Sequence, residues 1–95
     1  MPAIGVITFE LRVEESHSLK DKRQVVKALK DRLRSRFNVA VAEIDGQDTW
    51  QRSTVTAVTV SGNHAHAESV LRNVEREAAG FLGPHLVDVT LEFLD

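Results

Sequence analysis

The sequence predicts a single α+β domain of four strands and two helices, and three observations carry that prediction. Apolar and polar residues alternate with a period of two near both ends of the chain, at residues 4–13 and 86–93. Two longer segments, from Leu19 and from Asn63 onward, place their apolar residues on one helical face instead. Between the helical segments lie two runs of strand-forming residues, 39–44 and 54–60, parted by a turn signal at Asp45 and Gly46.

The first strand is read from Ile7, Phe9, Leu11 and Val13, which alternate with Thr8, Glu10 and Arg12. Ser18 then stands where an N-cap is expected, with Asp21 three positions on, near the positive end of the helix dipole. The first helix is predicted over residues 19–36, with Leu19, Val25, Val26, Leu29, Leu33 and Phe37 inward and Asn38 ending it. A third strand, rich in Thr and Val, follows the loop through Trp50 and is broken at Ser61, Gly62 and Asn63. Asn63 is the expected cap of a second helix that buries Ala67, Val70, Leu71, Val74 and Ala78. Gly80 is expected at its C-terminal end, and Gly83 and Pro84 close the segment. The fourth strand alternates Val87, Val89, Leu91 and Phe93 with Asp88, Thr90 and Glu92.

The resulting order, βαββαβ, is that of a ferredoxin-like sandwich: a four-stranded antiparallel sheet with two helices on one face. At 95 residues the chain forms one domain over residues 1–95, because a chain of this size cannot divide its core between two units. The other face of the sheet must then meet solvent or a partner. Strands one and four offer it Thr8, Glu10, Arg12, Asp88, Thr90 and Glu92. The third strand offers either Val55, Ala57 and Thr59 or Thr56, Val58 and Val60. Both sets are partly apolar, which suggests a homodimer through the open face, with Val58 and Val60 as the test positions; scattered surface valines are the plainer alternative.

Charge is strongly segregated. Residues 20–36 hold eight of the twelve Lys and Arg against two acids, so a net charge of -2 is +6 on one element and -8 elsewhere. Such a field selects partners rather than folds. On a wheel of about 100° per residue, Lys20, Arg23, Lys27, Lys30 and Arg34 fall within about 80° of one another. They form one stripe able to follow a phosphate backbone, although a solvated helix face has the same composition. Lys20, Lys22 and Arg23 lie in the first turn, where cations oppose the dipole, and an anion held by Ser18, Lys20 and Arg23 would reverse that penalty. Trp50, with Arg52 nearby, is a candidate platform for an unpaired base; the plainer alternative is a tryptophan folded onto the end of the core.

Other chemistries find little support in the residues. The chain has no cysteine, which excludes disulfides and thiolate sites and fits a reducing cytoplasm. Its N-terminal apolar run is too short to span a membrane and has no signal-peptide pattern. Histidines are few, His17, His64, His66 and His85, and His64 and His66, two apart, would point to nearly opposite sides of a helix. Glu43, Asp45 and Asp48 do not match the calcium-loop spacing. No metal or other cofactor and no catalytic residue is therefore expected. The outward face of strand one lacks the aromatics of an RNA-recognition motif. The order of elements is similar to that of the acylphosphatases, but residues 14–18 contain no glycine and are acidic, unlike the phosphate loop of that family.

Three blocks carry a further resemblance: His17-Ser18-Leu19-Lys20-Asp21-Lys22-Arg23, Leu33-Arg34-Ser35-Arg36-Phe37-Asn38-Val39 and Gln47-Asp48-Thr49-Trp50-Gln51-Arg52. The chain resembles the YlxP-like family of short bacterial proteins of unknown function, over essentially its whole length. That resemblance implies a ferredoxin-like fold and a cytoplasmic bacterial protein whose genes tend to lie beside those for translation factors and a ribosome-binding factor. It implies no enzymatic activity. Gly46 departs from the pattern, since relatives often carry a histidine there. The expectation is a non-enzymatic module that contacts RNA or the ribosome through Lys20, Arg23, Lys27, Lys30, Arg34, Trp50 and Arg52. The alternative is a homodimeric scaffold or regulatory domain that binds an acidic protein.

Overall fold

The computed structural model describes residues 1–14 and 18–94. The expected order holds: β1 (Ala3–Arg12), α1 (Leu19–Arg36), β2 (Ala40–Asp45), β3 (Arg52–Ser61), α2 (His64–Leu82), a short 3-10 turn (Gly83–His85) and β4 (Leu86–Leu94). The strands form one antiparallel sheet in the order β2-β3-β1-β4, so β1 and β3 are central and β2 and β4 are edges. Among the described residues, no helix is long and apolar enough to cross a membrane.

Alternation decides which face is buried. Ile7, Phe9 and Leu11 of β1 and Val55 and Ala57 of β3 point under the helices, where they meet Val26, Leu29 and Leu33 of α1 and Leu71, Val74, Ala78 and Leu82 of α2. Each fully buried Leu, Ile or Phe here contributes about 1.5–3 kcal/mol. Gly5 belongs to the same row, and a β-carbon there would lie 2.7 Å from Leu71 Cδ1. Its lack of a side chain is what lets α2 settle onto β1.

Both helix starts match the sequence reading. Ser18 Oγ accepts from the Asp21 N–H at 3.2 Å and Asn63 Oδ1 from the His66 N–H at 2.8 Å. The second helix runs past Gly80 to Leu82, and Gly83 has the positive φ of +55°. Gly80 is therefore an interior helix residue: Leu82 is an apolar anchor that holds the last turn against the sheet. The first helix ends at Arg36, with Phe37 rather than Asn38 at the cap. His64 packs its ring 4.5 Å from that of Phe93, which ties the start of α2 to the end of β4.

The open face resolves the ambiguity in the third strand. Val55, Ala57 and Thr59 are buried beneath the helices, so Thr56, Val58 and Val60 face outward. They pair across the strands with Thr8, Val6 and Ile4.

Candidate nucleic-acid interface

The eight cations of residues 20–36 divide into three groups with different work. Lys22 is completely buried. Its Nζ donates to Glu43 Oε2 at 2.9 Å, to the Gly46 carbonyl at 2.5 Å and to the Arg52 carbonyl at 3.4 Å. All three ammonium hydrogens thus have acceptors, as a buried polar group requires. Ser53 Oγ donates to the same Glu43 oxygen at 2.5 Å. Lys22 is no part of an exposed first-turn cluster. On the helical wheel it stands in the middle of the apolar face, one turn before Val26 and two before Leu29, and that position was the signal for its burial.

Arg32 and Arg36 form the second group. They turn toward α2 and bind the two carboxylate oxygens of Glu77 at 2.8 and 2.9 Å. Arg32 also stands 4.7 Å over the Phe81 ring, a cation–π contact that packs the helices together. The Arg32 hydrogen bond to Glu77, joined by that of Arg36, holds the Glu77 carboxyl below its ordinary value against the opposing effect of burial.

The remaining five, Lys20, Arg23, Lys27, Lys30 and Arg34, lie on the outer flank, as the sequence predicts. Lys30 is half-buried and the other four are exposed. Arg23, Lys27, Lys30 and Arg34 line an open groove of about 510 Å³ between α1 and β2, with Val26, Asp31, Glu43 and Gln47. Two of the cations have partners already. Lys27 binds Asp31 at 2.6 Å, and that bond is the main reason the Asp31 carboxyl sits below its usual value. Arg34 donates to the Val41 carbonyl at 2.8 Å, so it covers part of the free edge of β2.

The loop between β2 and β3 stands beside the start of α1. Lys22 holds its first residue through Gly46, and the Thr49 N–H donates to the Gly46 carbonyl at 3.0 Å. At its other end the Val13 N–H donates to the Gln51 carbonyl at 2.7 Å, and Gln51 Nε2 to the Glu14 carbonyl at 3.3 Å. Trp50 lies between these attachments and is 57% exposed. It does not fold onto the core, because the loop is anchored on both sides by polar contacts that keep it at the surface. Gly46 has a φ of +84°, and a β-carbon there would lie 2.6 Å from the Arg52 carbonyl oxygen.

Arg52 falls on the other side of the sheet. Its neighbour Ser53 points beneath the helices, so Arg52 points out of the open face, where it pairs across the strands with Arg12. Both line a small cavity of about 150 Å³ with Glu10, Asp45 and Thr54. The structure therefore groups the five stripe residues with the Trp50 loop and separates Arg52 from them. At the anion position, the Ser18 hydroxyl is used as the helix cap while Lys20 and Arg23 stay exposed. His17 and the acidic loop at 15–16 lie outside the described residues. Among the described residues no group of three or more His, Asp or Glu could hold a metal ion.

The family profile described as "Protein of unknown function (DUF503)" matches residues 4–91. The chain belongs to that family. Over 71 residues, 75% of this chain and 77% of the relative, it is 38% identical to the "Uncharacterized protein YlxP" of Bacillus subtilis strain 168. Among solved structures it is similar to the de novo designed protein Foldit4, at a TM-score of 0.61 and 12% identity, covering 100% of this chain and 98% of that one. It is also similar to a dimeric ferredoxin-like protein of unknown function from Thermobifida fusca YX, at a TM-score of 0.56 and 17% identity, covering 98% and 90%. The likeness to the Thermobifida fusca protein, with the β2-β3-β1-β4 antiparallel sheet, establishes the ferredoxin-like fold for this DUF503 member.

Proposed function

We propose that this protein is a non-enzymatic binding module that contacts RNA, including RNA in the ribosome, through the outer flank of α1, with Trp50 as a stacking contact. The observation that carries the reading is the placement of Lys20, Arg23, Lys27, Lys30 and Arg34 on one flank of α1, four of them along one groove. Cations spaced by one helical turn can meet successive phosphates and release their counterions. Trp50 belongs to the loop that Lys22 holds beside the start of α1, and at 57% exposure its ring is accessible to a base. Binding is favoured over catalysis because, among the described residues, the buried pair Lys22 with Glu43 is engaged by Gly46, Arg52 and Ser53 rather than turned toward a ligand.

The test is binding of labelled RNA, and co-sedimentation with ribosomal subunits, between about 50 and about 200 mM salt. Affinity falls steeply with salt for the native chain. Joint charge reversal of Arg23, Lys27 and Lys30 abolishes ribosome co-sedimentation, and their joint neutralisation to Gln weakens RNA binding and flattens the salt slope by about three. Affinity independent of salt would overturn the reading.

A second reading, a scaffold or regulatory domain in which two copies associate and the stripe meets an acidic protein, is supported by the apolar residues on the open sheet face. The dimeric neighbour of similar fold is in keeping with it.

A further inference from the structure

On the open face, cross-strand pairs build a continuous apolar patch. Ile4 stands between Val60 and Leu94, and Val6 and Ala40 flank Val58. Val60 is 57% and Leu94 60% exposed. The next row is Thr90, Thr8, Thr56 and Ala42, in which Thr8 Oγ1 and Thr56 Oγ1 bond each other at 3.1 Å. This row can lose water cheaply, because its central hydroxyls already have a partner. Glu92 on the edge strand β4 pairs with Val6 and ends the Val58 row; the other charges lie beyond the threonines, at Glu10, Asp88, Arg12 and Arg52.

We infer that two copies of this chain pack face to face over this patch, with the two-fold axis near the Val6–Val58 pair. The inference rests on the reading that two copies associate, and it decides how they do so. The whole open face, charged rows included, is about 19 Å across its four strands and about 30 Å along them, about 600 Å² per copy or about 1,200 Å² in total, which meets the lower range of specific interfaces.

The edges are poorer candidates. At β2, Arg34 occupies the Val41 carbonyl, and a register shift between Glu43 and Asp45 interrupts the short strand. At β4, two antiparallel copies centred on Thr90 would set Asp88 opposite Glu92 of the second copy, like charges in direct apposition. Face-to-face packing leaves the helices outermost. The two α1 flanks then stand on opposite outer surfaces, so that the dimer carries two basic rails.

Sedimentation velocity of the native chain, and of Val58→Lys with Val60→Lys, tests the interface, with a cooperative thermal melt checking that the variant folds. The absence of native cysteine allows single-cysteine reporters. Val58→Cys should be joined by a bismaleimide able to span the roughly 10 Å between packed sheets, whereas Thr90→Cys should form no direct intermolecular disulfide. A native dimer linked through Val58→Cys and dissociated by the lysines supports the inference. A dimer that survives the lysines and forms the Thr90→Cys disulfide overturns face packing while the two-copy reading stands. A monomer at all concentrations overturns both. Should the lysine variant fail to fold, the two cysteine reporters decide alone.

Discussion

Lys22 Nζ lies 2.9 Å from Glu43 Oε2 at the boundary between α1 and β2. The lysine is completely buried, and the pair also gathers the Gly46 and Arg52 carbonyls and the Ser53 hydroxyl around it. One ion pair thus ties the first turn of the basic helix to both ends of the Trp50 loop. Removing one partner from such a pair leaves an uncompensated buried charge, which costs about 3–5 kcal/mol. Lys22→Met should therefore lower the urea midpoint strongly at an unchanged m-value. Adding Glu43→Gln should recover part of the loss, because the carboxylate that lost its counter-charge is gone. Equal or greater destabilisation in the double variant would show that packing, rather than charge, governs this node.

The two glycines of opposite surroundings give opposite expectations. Gly46 has a φ of +84° and a carbonyl oxygen 2.6 Å from the β-carbon position, so Gly46→Ala should destabilise by about 1–3 kcal/mol. Gly80 sits in the exposed interior of α2 with nothing within 4 Å of that position. Gly80→Ala should stabilise by about 0.5–1 kcal/mol, the ordinary helix-propensity difference. Thermal or urea unfolding of both variants checks the pair.

Glu77 links the two helices through Arg32 and Arg36, and the Arg32 hydrogen bond chiefly draws its pKa below 4.5. A carboxyl with a lower pKa folded than unfolded binds fewer protons in the folded state, so stability there rises with pH. The contribution is complete above the unfolded value near 4.5 and fades as pH falls through the lower folded value. Glu77→Gln should lower stability modestly near neutral pH, and its difference from the native chain should close in acid. Urea midpoints followed from about pH 7 to about pH 3 measure this; a difference that widens in acid would contradict it.

Trp50 is 57% exposed in an anchored loop, so its truncation should affect binding and spare stability. Trp50→Ala should weaken single-stranded RNA binding by about tenfold, within the roughly 1–3 kcal/mol of one stacked base. The thermal midpoint should hardly move. Arg52→Ala should leave RNA affinity unchanged, since Arg52 opens onto the opposite face of the sheet with Arg12. Fluorescence anisotropy with a short unstructured RNA separates the two.

The ends of α1, its cap at Ser18 and the outer stripe follow from periodicity, because 3.6-residue and two-residue patterns are local properties of the chain. The order βαββαβ follows from the same local signals. Sequence alone therefore determined the ferredoxin-like fold and the flank on which the cations stand. What tertiary structure decided was the fate of individual groups whose partners are distant in sequence. Glu43 lies 21 positions from Lys22, and Glu77 lies 45 from Arg32. No periodicity specifies such meetings, since they depend on how helices settle on the sheet. The same packing chose Thr56, Val58 and Val60 for the open face and put Arg52 on that face, away from the stripe residues it was grouped with in the sequence. Periodicity fixes which residues share a face; only the packed layers determine what that face meets, because burial and charge pairing are properties of the assembled fold.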